Sequence, residues 1–358
     1  MNVVFAPDWR NGNPYQSLLA DALRVEGLTI NFLSEYRRGL PLWRGISRRN
    51  CELLHIHWPE AYFTGLTWLH RIVRPMKFVP DLFLVTRRCP LVVTAHNLVA
   101  HQRHGQFFAH RNSRYAYRRA AAVFAHSEAA KIRLIEKLGL APEKCHVIPH
   151  GDPAVRLGTP IETLEARSAL RLPGGQKICL IFGTVKPYKG IEEVIEFWAT
   201  HRPPATLAIT GAAESQDYER KLASIVKTVP GVLTRFARLQ DHELRLWLSA
   251  ADCAIFNYHR ILTSGAACLA RSLGIPILIP ANLDTVELGE PHPLVRRFNN
   301  LRGDFGLQLK AALSTGTNYS LAAPWREATA WSGIAKATAE VYYKTTQAAG
   351  IESWSHES

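Results

Sequence analysis

The sequence holds no run of about 18 apolar residues, so it predicts no membrane-spanning helix. Its start, MNVVFAPDWR, lacks the basic opening and apolar core of a secretion signal. No C-x-x-C pair occurs among the six cysteines (Cys51, Cys89, Cys145, Cys179, Cys253 and Cys268), which argues against a structural zinc site and for buried thiols in a reducing compartment. No low-complexity tract, short-period repeat or long Gly/Ser linker interrupts the chain, and 47% hydrophobic content excludes disorder. Acid is scarce: 30 Asp and Glu face 43 Lys and Arg, for a net charge of +13. The excess is uneven, since residues 1–152 carry +10 and the remaining 206 residues only +3. A basic half suits an anionic partner such as lipid headgroups, diphosphates or nucleic acid.

What is present is two α/β series in succession, in a chain of 358 residues that is long for one core. Short apolar runs at Val3–Ala6, Leu28–Leu33, Leu53–Trp58, Leu91–His96, Ala122–Ser127 and Cys145–Gly151 alternate with helical patterns. A strand-poor stretch follows at about 152–175, and a second series reads Lys177–Gly183, Thr206–Thr210, Val232–Phe236, Cys253–Asn257 and Ile275–Pro280. Continuous apolar strands separated by helices predict parallel sheets covered on both faces. The expected domains are 1–152 and 153–325, two Rossmann-like halves facing across a cleft, with a closing helix and tail at 326–358.

Two segments of the second half suit anion binding. In GTVKPYKG (Gly183–Gly190), glycines flank a strand-to-helix turn, and Lys186 and Lys189 stand beside the helix start. Backbone N–H groups and ammonium charge there can cradle a diphosphate, although the loop is not a Walker A sequence. In NYHRILTSGAACLARSLGIPILIP (Asn257–Pro280), Thr263 or Ser264 can cap a helix whose first turn Gly265 leaves open, with Arg260 in reach. An ordinary solvated lysine and a plain helix cap are the simpler readings of the same residues.

The order of these pieces resembles that of GT-B glycosyltransferases with the group-one glycosyl-transfer domain. The strings HSEAAKIRLIEKLGL (126–140), VIPHGDP (147–153) and ARLQDHELRLWLSAAD (237–252) extend the likeness over nearly the whole chain, and bacterial enzymes that assemble exopolysaccharide or lipid-linked glycans are the nearest in kind. The resemblance implies a GT-B fold and places the donor nucleotide sugar at Gly183, Thr184, Lys186, Lys189, Arg260, Thr263, Ser264 and Gly265. It also implies that His96 touches the transferred sugar. Two departures stand out. Thr184 occupies a position that is commonly arginine, and Ile261 and Leu269 stand where retaining members carry two glutamates. No D-x-D occurs, so a metal-bound diphosphate is not expected, and positive charge from Lys189, Arg260 and helix dipoles must serve the leaving group.

In the first half, polar residues collect at predicted strand ends. Asp8, His57, Glu60 and His96 are the catalytic candidates, the first three as possible bases of an inverting reaction. Arg10, Asn13, Tyr15 and Trp58 are candidates for holding the acceptor. Arg-aromatic stretches at 37–49 and 68–88 resemble a surface that lies on anionic lipid, or equally a helix pair with snorkelling arginines.

The expected function is metal-independent transfer of a hexosyl unit from a GDP- or UDP-sugar to a glycan or lipid-linked acceptor, in bacterial polysaccharide synthesis. The expected location is the cytoplasm, peripherally on the inner face of the membrane, with no further cofactor and no nucleic-acid partner. A sugar-nucleotide epimerase of the same architecture and a non-catalytic nucleotide-sugar-binding partner subunit are the alternatives.

Overall fold

The computed structural model describes residues 1–11, 13–34, 39–64, 68–96, 106–259, 264–283 and 292–350, with only the backbone described at 68, 69, 71 and 106–109. The first sheet contains β1 (Asn2–Ala6), β2 (Thr29–Phe32), β3 (Leu53–Ile56), β4 (Leu91–Thr94), β5 (Ala122–Ala125) and β6 (Cys145–Val147). They lie in the order β2-β1-β3-β4-β5-β6, parallel at every pairing. The second contains β7 (Lys177–Ile181), β8 (Ala205–Thr210), β9 (Val232–Arg235), β10 (Cys253–Ile255), β11 (Ile277–Pro280) and β12 (Val295–Phe298). Their order is β12-β11-β10-β7-β8-β9, again parallel throughout.

The central strands are apolar along their length because helices cover both faces. Leu53, Leu54, Ile56, Val92 and Val93 are all fully buried, as are Ile178, Cys179 and Leu180. The sequence reading did not include β12. Its run VRRF buries only Val295 and Phe298, the half-buried Arg296 and Arg297 break the apolar pattern, and it sits at a sheet edge. Each sheet has one place where successive connections leave in opposite directions. In the first it lies between β1 and β3, and in the second between β7 and β10. Open α/β sheets bind ligands beyond the strand carboxyl ends at such points.

The chain divides into two compact units, Met1–Gly151 with Thr329–Ser358, and Asp152–Ala328. The segment from 326 onward, set apart in the sequence reading, therefore contributes its helix Trp331–Ala348 to the first unit. That helix packs against the helix Pro14–Val25 and buries Trp331, Ile334, Ala335, Val341 and Tyr342. The return is marked at Gly151 (φ 85°), where a Cβ would lie 2.5 Å from the Trp331 indole, so only glycine fits.

Tyr342 ties this helix into the sheet. It is fully buried, stacks on Phe124 with centroids 6.0 Å apart, and shares a hydrogen bond between its hydroxyl and His55 Nδ1. The other His55 nitrogen bonds Thr94 Oγ1 at 2.7 Å. Tyr342→Phe keeps the ring but strands a buried imidazole nitrogen, and should cost about 1–3 kcal/mol. A fall in the melting temperature of the first unit by calorimetry checks it, and an unchanged value would mean that the hydroxyl does not support the helix.

Candidate active site

In the first unit the strands deliver histidines to one edge. His57 follows β3, His96 follows β4, His126 follows β5 and His150 follows β6, all of them buried. Tyr15 lies at their centre: its ring makes edge contacts with His96 (4.9 Å between centroids), His126 (5.6 Å) and His57 (5.7 Å), and is tilted against His150 at 5.0 Å. Burial raises the Tyr15 phenol, partly offset by its hydrogen bond with Thr94. Tyr15, expected at the acceptor, thus lies beneath the strand ends and packs them together, because its helix turns the ring inward. Asn13 caps that helix, accepting the Tyr15 N–H at 3.0 Å.

His96 is 8% exposed. Its ring stacks on Trp58 at 4.4 Å and 14°, and Trp58 stacks in turn on the half-buried Trp9 at 4.9 Å and 28°. This aromatic ladder bridges the loops after β1, β3 and β4, which includes the first sheet's switch point. His96 Nδ1 lies 3.3 Å from His126 Nε2, and His126 Nδ1 lies 2.9 Å from the Ile148 carbonyl. His96 Nε2 has no hydrogen-bond partner among the described residues, nor has either nitrogen of the fully buried His57. A buried, unsatisfied polar group costs about 1–3 kcal/mol and is a common mark of a ligand position.

The other candidates differ in freedom. Asp8 is gripped by Arg10 through two hydrogen bonds of 2.9 and 2.8 Å, and that bond holds its carboxyl below the usual range. Arg10 lies 3.8 Å over the Phe32 ring. This pairing makes Asp8 a weaker base than a free carboxylate. Glu60 is half-buried on the short helical turn Pro59–Tyr62.

In the second unit the chain leaves β7 through Phe182 and Gly183 (φ 80°) and enters the helix Ile191–His201 after Gly190 (φ 59°). Gly211, at the end of β8, approaches so closely that a Cβ there would lie 2.2 Å from the Gly183 carbonyl oxygen. At Gly190 a Cβ would meet the Asn257 amide at 2.3 Å. Three backbones therefore converge beside the switch point between β7 and β10. Into this turn projects Lys189, 7% exposed, whose Nζ donates to the Phe182 carbonyl at 3.1 Å and lies 5.7 Å from the centre of the Tyr258 ring. Burial, with Lys186 nearby, brings its pKa down to about 7. Lys186 is half-buried, 3.8 Å from Glu214, and Thr184 is exposed. Glu193, in the first turn of the helix, accepts from Asn257 and His259, each at 3.0 Å.

Ser264 is the N-cap of the helix Gly265–Ser272, accepting from the Ala267 N–H at 3.1 Å, and Gly265 behind it is half-buried. Leu269, standing where the family resemblance would put a glutamate, is buried in the apolar core of this unit. Arg260, Thr263 and Ile261 lie outside the described residues. Trp9, His150, Gly211 and Tyr258 were missed as site residues by the sequence reading. The signal for His150 was its place just after an apolar run, the position that His57, His96 and His126 also occupy.

The histidine cluster has a measurable consequence. Burial first, then mutual repulsion, lowers His55, His57 and His96 well below 6.5, and burial takes His126 to about 3 and His150 to about 4. Below pH 6.5 the unfolded chain takes up protons that the folded rings refuse, so stability falls as pH drops towards those values. At about 1.4 kcal/mol per pH unit, His126 and His150 should each cost about 2 kcal/mol by pH 5, and the other three rings add in the same direction. Urea unfolding at pH 7 and pH 5 should show this loss, and His150→Phe should lessen it. Equal stability at the two pH values would contradict a neutral, buried cluster.

Known proteins resemble this chain in sequence and in fold. Residues 3–153 match the family model described as Glycosyltransferase Family 4, which falls on the first unit. A GDP-mannose:glycolipid 4-beta-D-mannosyltransferase of Xanthomonas campestris pv. campestris is 25% identical over 274 residues, 75% of this chain and 70% of the relative. Among solved structures, the chain is similar to a sucrose-phosphate synthase from Thermosynechococcus elongatus, with TM-score 0.74 and 14% identity over 97% of this chain and 99% of that one. It is also similar to Anabaena HepE in complex with UDP and glucose, with TM-score 0.73 and 16% identity over 96% of this chain and 100% of that one. The fold is GT-B, and in sequence and fold the chain is similar to GT-B glycosyltransferases.

Proposed function

We propose that this protein transfers a hexosyl unit from a nucleoside-diphosphate sugar to a glycolipid acceptor. The second unit carries the diphosphate-binding residues of this reading, and the first carries His96 and the acceptor candidates. The observation that carries the reading is Lys189: a nearly buried ammonium at a glycine-lined helix start, beside a sheet switch point. With the N–H groups of the helix Ile191–His201 it can meet the charge that grows on a departing diphosphate. His96, neutral and with a free nitrogen, can orient a sugar hydroxyl without adding positive charge beside an electron-poor anomeric carbon.

The curated relatives are named for GDP-mannose and a glycolipid, and HepE has been solved with UDP-glucose, so these two donors come first. The transfer needs no metal on this reading, and its product feeds bacterial polysaccharide assembly. Purified protein with donor and a glycolipid acceptor should release nucleoside diphosphate in the presence of EDTA. His96→Ala should lower kcat by about 10²–10³ with little change in melting temperature. Lys189→Ala should weaken nucleoside-diphosphate binding by about 10- to 100-fold, the value of a charge-assisted contact. Turnover of donor without acceptor would point to an epimerase. Binding without turnover would point to a partner subunit, which the buried Leu269 would favour.

The acceptor's lipid suggests where the enzyme works. The helix Trp68–Val85 exposes Ile72 (46%), Met76 (68%) and Phe83 (40%) on one face, spaced four and seven residues apart. Arg87 lies 4.6 Å over Phe83, and Arg119 approaches the same ring at 5.7 Å. Asp81 joins this helix to its neighbour Pro41–Ser47, which carries Arg44 and is followed by Arg48 and Arg49, by accepting the N–H groups of Leu42 and Trp43 at 3.0 and 2.8 Å. Arg37 and Arg38 lie outside the described residues. No helix among the described residues is long and apolar enough to cross a membrane. We propose that this face rests on the anionic cytoplasmic leaflet. Replacing Arg87 and Arg119 by glutamate should weaken binding to phosphatidylglycerol vesicles, at about 1 kcal/mol per basic residue. Raised salt should do the same to the unaltered protein. Equal binding to neutral and anionic vesicles at low salt would overturn the electrostatic part.

A further inference from the structure

The three hydrogen-bonding groups Ile148, His126 and His96 leave only one arrangement of protons. A carbonyl oxygen can only accept, so the 2.9 Å contact requires a proton on His126 Nδ1. Both rings are buried among other histidines, and burial keeps them uncharged at neutral pH. A neutral His126 with its proton on Nδ1 has a bare Nε2. That nitrogen can only accept, so the 3.3 Å contact places the His96 proton on Nδ1. A neutral His96 with its proton there has a bare Nε2, the same atom that has no partner among the described residues. The Trp58 stack and the Tyr15 edge contact hold the ring plane, and the bond from Nδ1 to His126 distinguishes this orientation from the one turned through 180°.

We propose that His126 is a positioning residue: through the relay from the Ile148 carbonyl it holds His96 in the form protonated at Nδ1, so that the lone pair of His96 Nε2 is presented to a hydroxyl of the transferred sugar. This rests on the reading of His96 as a sugar contact. It turns a general statement about a strand-end histidine into a stated protonation, acceptor at Nε2 and donor at Nδ1. It also assigns work to His126, whose ring would otherwise be one more buried aromatic. No other described residue bonds His96 Nδ1, so removing His126 frees the ring to place its proton on Nε2, the form that would offer a donor where an acceptor is needed.

The test is two-bond proton–nitrogen correlation of the histidine-labelled full chain without ligand, with His96 assigned from the spectrum of His96→Ala. Unaltered protein should show His96 with a protonated Nδ1 and a bare Nε2. His126→Phe, which preserves a ring of similar size, should shift His96 towards the Nε2-protonated form. It should also lower kcat by about 10- to 100-fold, as loss of an orienting partner does elsewhere. In His126→Gln the amide oxygen can still accept from His96 Nδ1, so both the nitrogen signature and most of kcat should return. A protonated Nε2 on His96 in the unaltered protein would overturn the proposal even if His126→Phe fails to fold. So would an unchanged His96 signature in a folded His126→Phe protein, or a loss in His126→Gln as deep as that in His126→Phe. If no donor supports transfer, the functional reading falls, while the nitrogen signatures still decide whether His126 sets the state of His96.

Discussion

Every strand in both sheets runs in the same direction as its neighbours, so each sheet delivers all its strand carboxyl ends to a single edge. That constraint explains why, within each unit, residues far apart in the chain gather at one sheet edge. His57, His96, His126 and His150 leave four consecutive strands of the first sheet and crowd around Tyr15. Gly183, Gly211 and Asn257 leave β7, β8 and β10 and close around Lys189 and Gly190. The helices that cover the sheets make the strands apolar. The edges are where polar chemistry can be placed without breaking the core.

The parts that could be read from the sequence are those with a local cause. Apolar runs such as LVVT and AVFA signal doubly covered strands because burial on both faces leaves no polar alternation. Glycines around Lys189 signal a tight strand-to-helix turn because their backbone takes left-handed values there. His96 could be singled out by its position after β4. Its state could not, because it depends on His126 and on a carbonyl contributed by Ile148, each from a different strand. The Trp9–Trp58–His96 ladder was hidden for the same reason. β12 was missed because two arginines in a four-residue edge strand erase the apolar signal. The last helix could be recognised as a helix, but its attachment to the first unit follows from the Tyr342–His55 contact across 287 positions, which no local pattern records.

The two units answer burial in the same direction but to different degrees. In the first, titratable rings are buried without counter-charge, and the rings give up their protons rather than pay for solvating a cation in a poorly polarisable interior. Neutral rings can then pack edge to face, and each can donate one hydrogen bond and accept another. In the second, Lys189 is buried to a similar degree, and burial first, then the nearby Lys186, loosens its hold on its proton, although the Phe182 carbonyl accepts from it. A nitrogen with a pKa of about 7 is half-charged near neutrality, and an arriving anion would restore its proton. On the proposed reading, that anion is the donor diphosphate. The cost of burying the ammonium is then carried by the unliganded protein and relieved only when phosphate oxygens surround it. An exposed lysine would be fully charged in either state and would gain less from the anion, because water already solvates it. On that reading, burial makes Lys189 a poorer contributor to the stability of the fold and a better recogniser of the charge that grows on a departing diphosphate, and the glycines that crowd it are what allow the backbone to close over it.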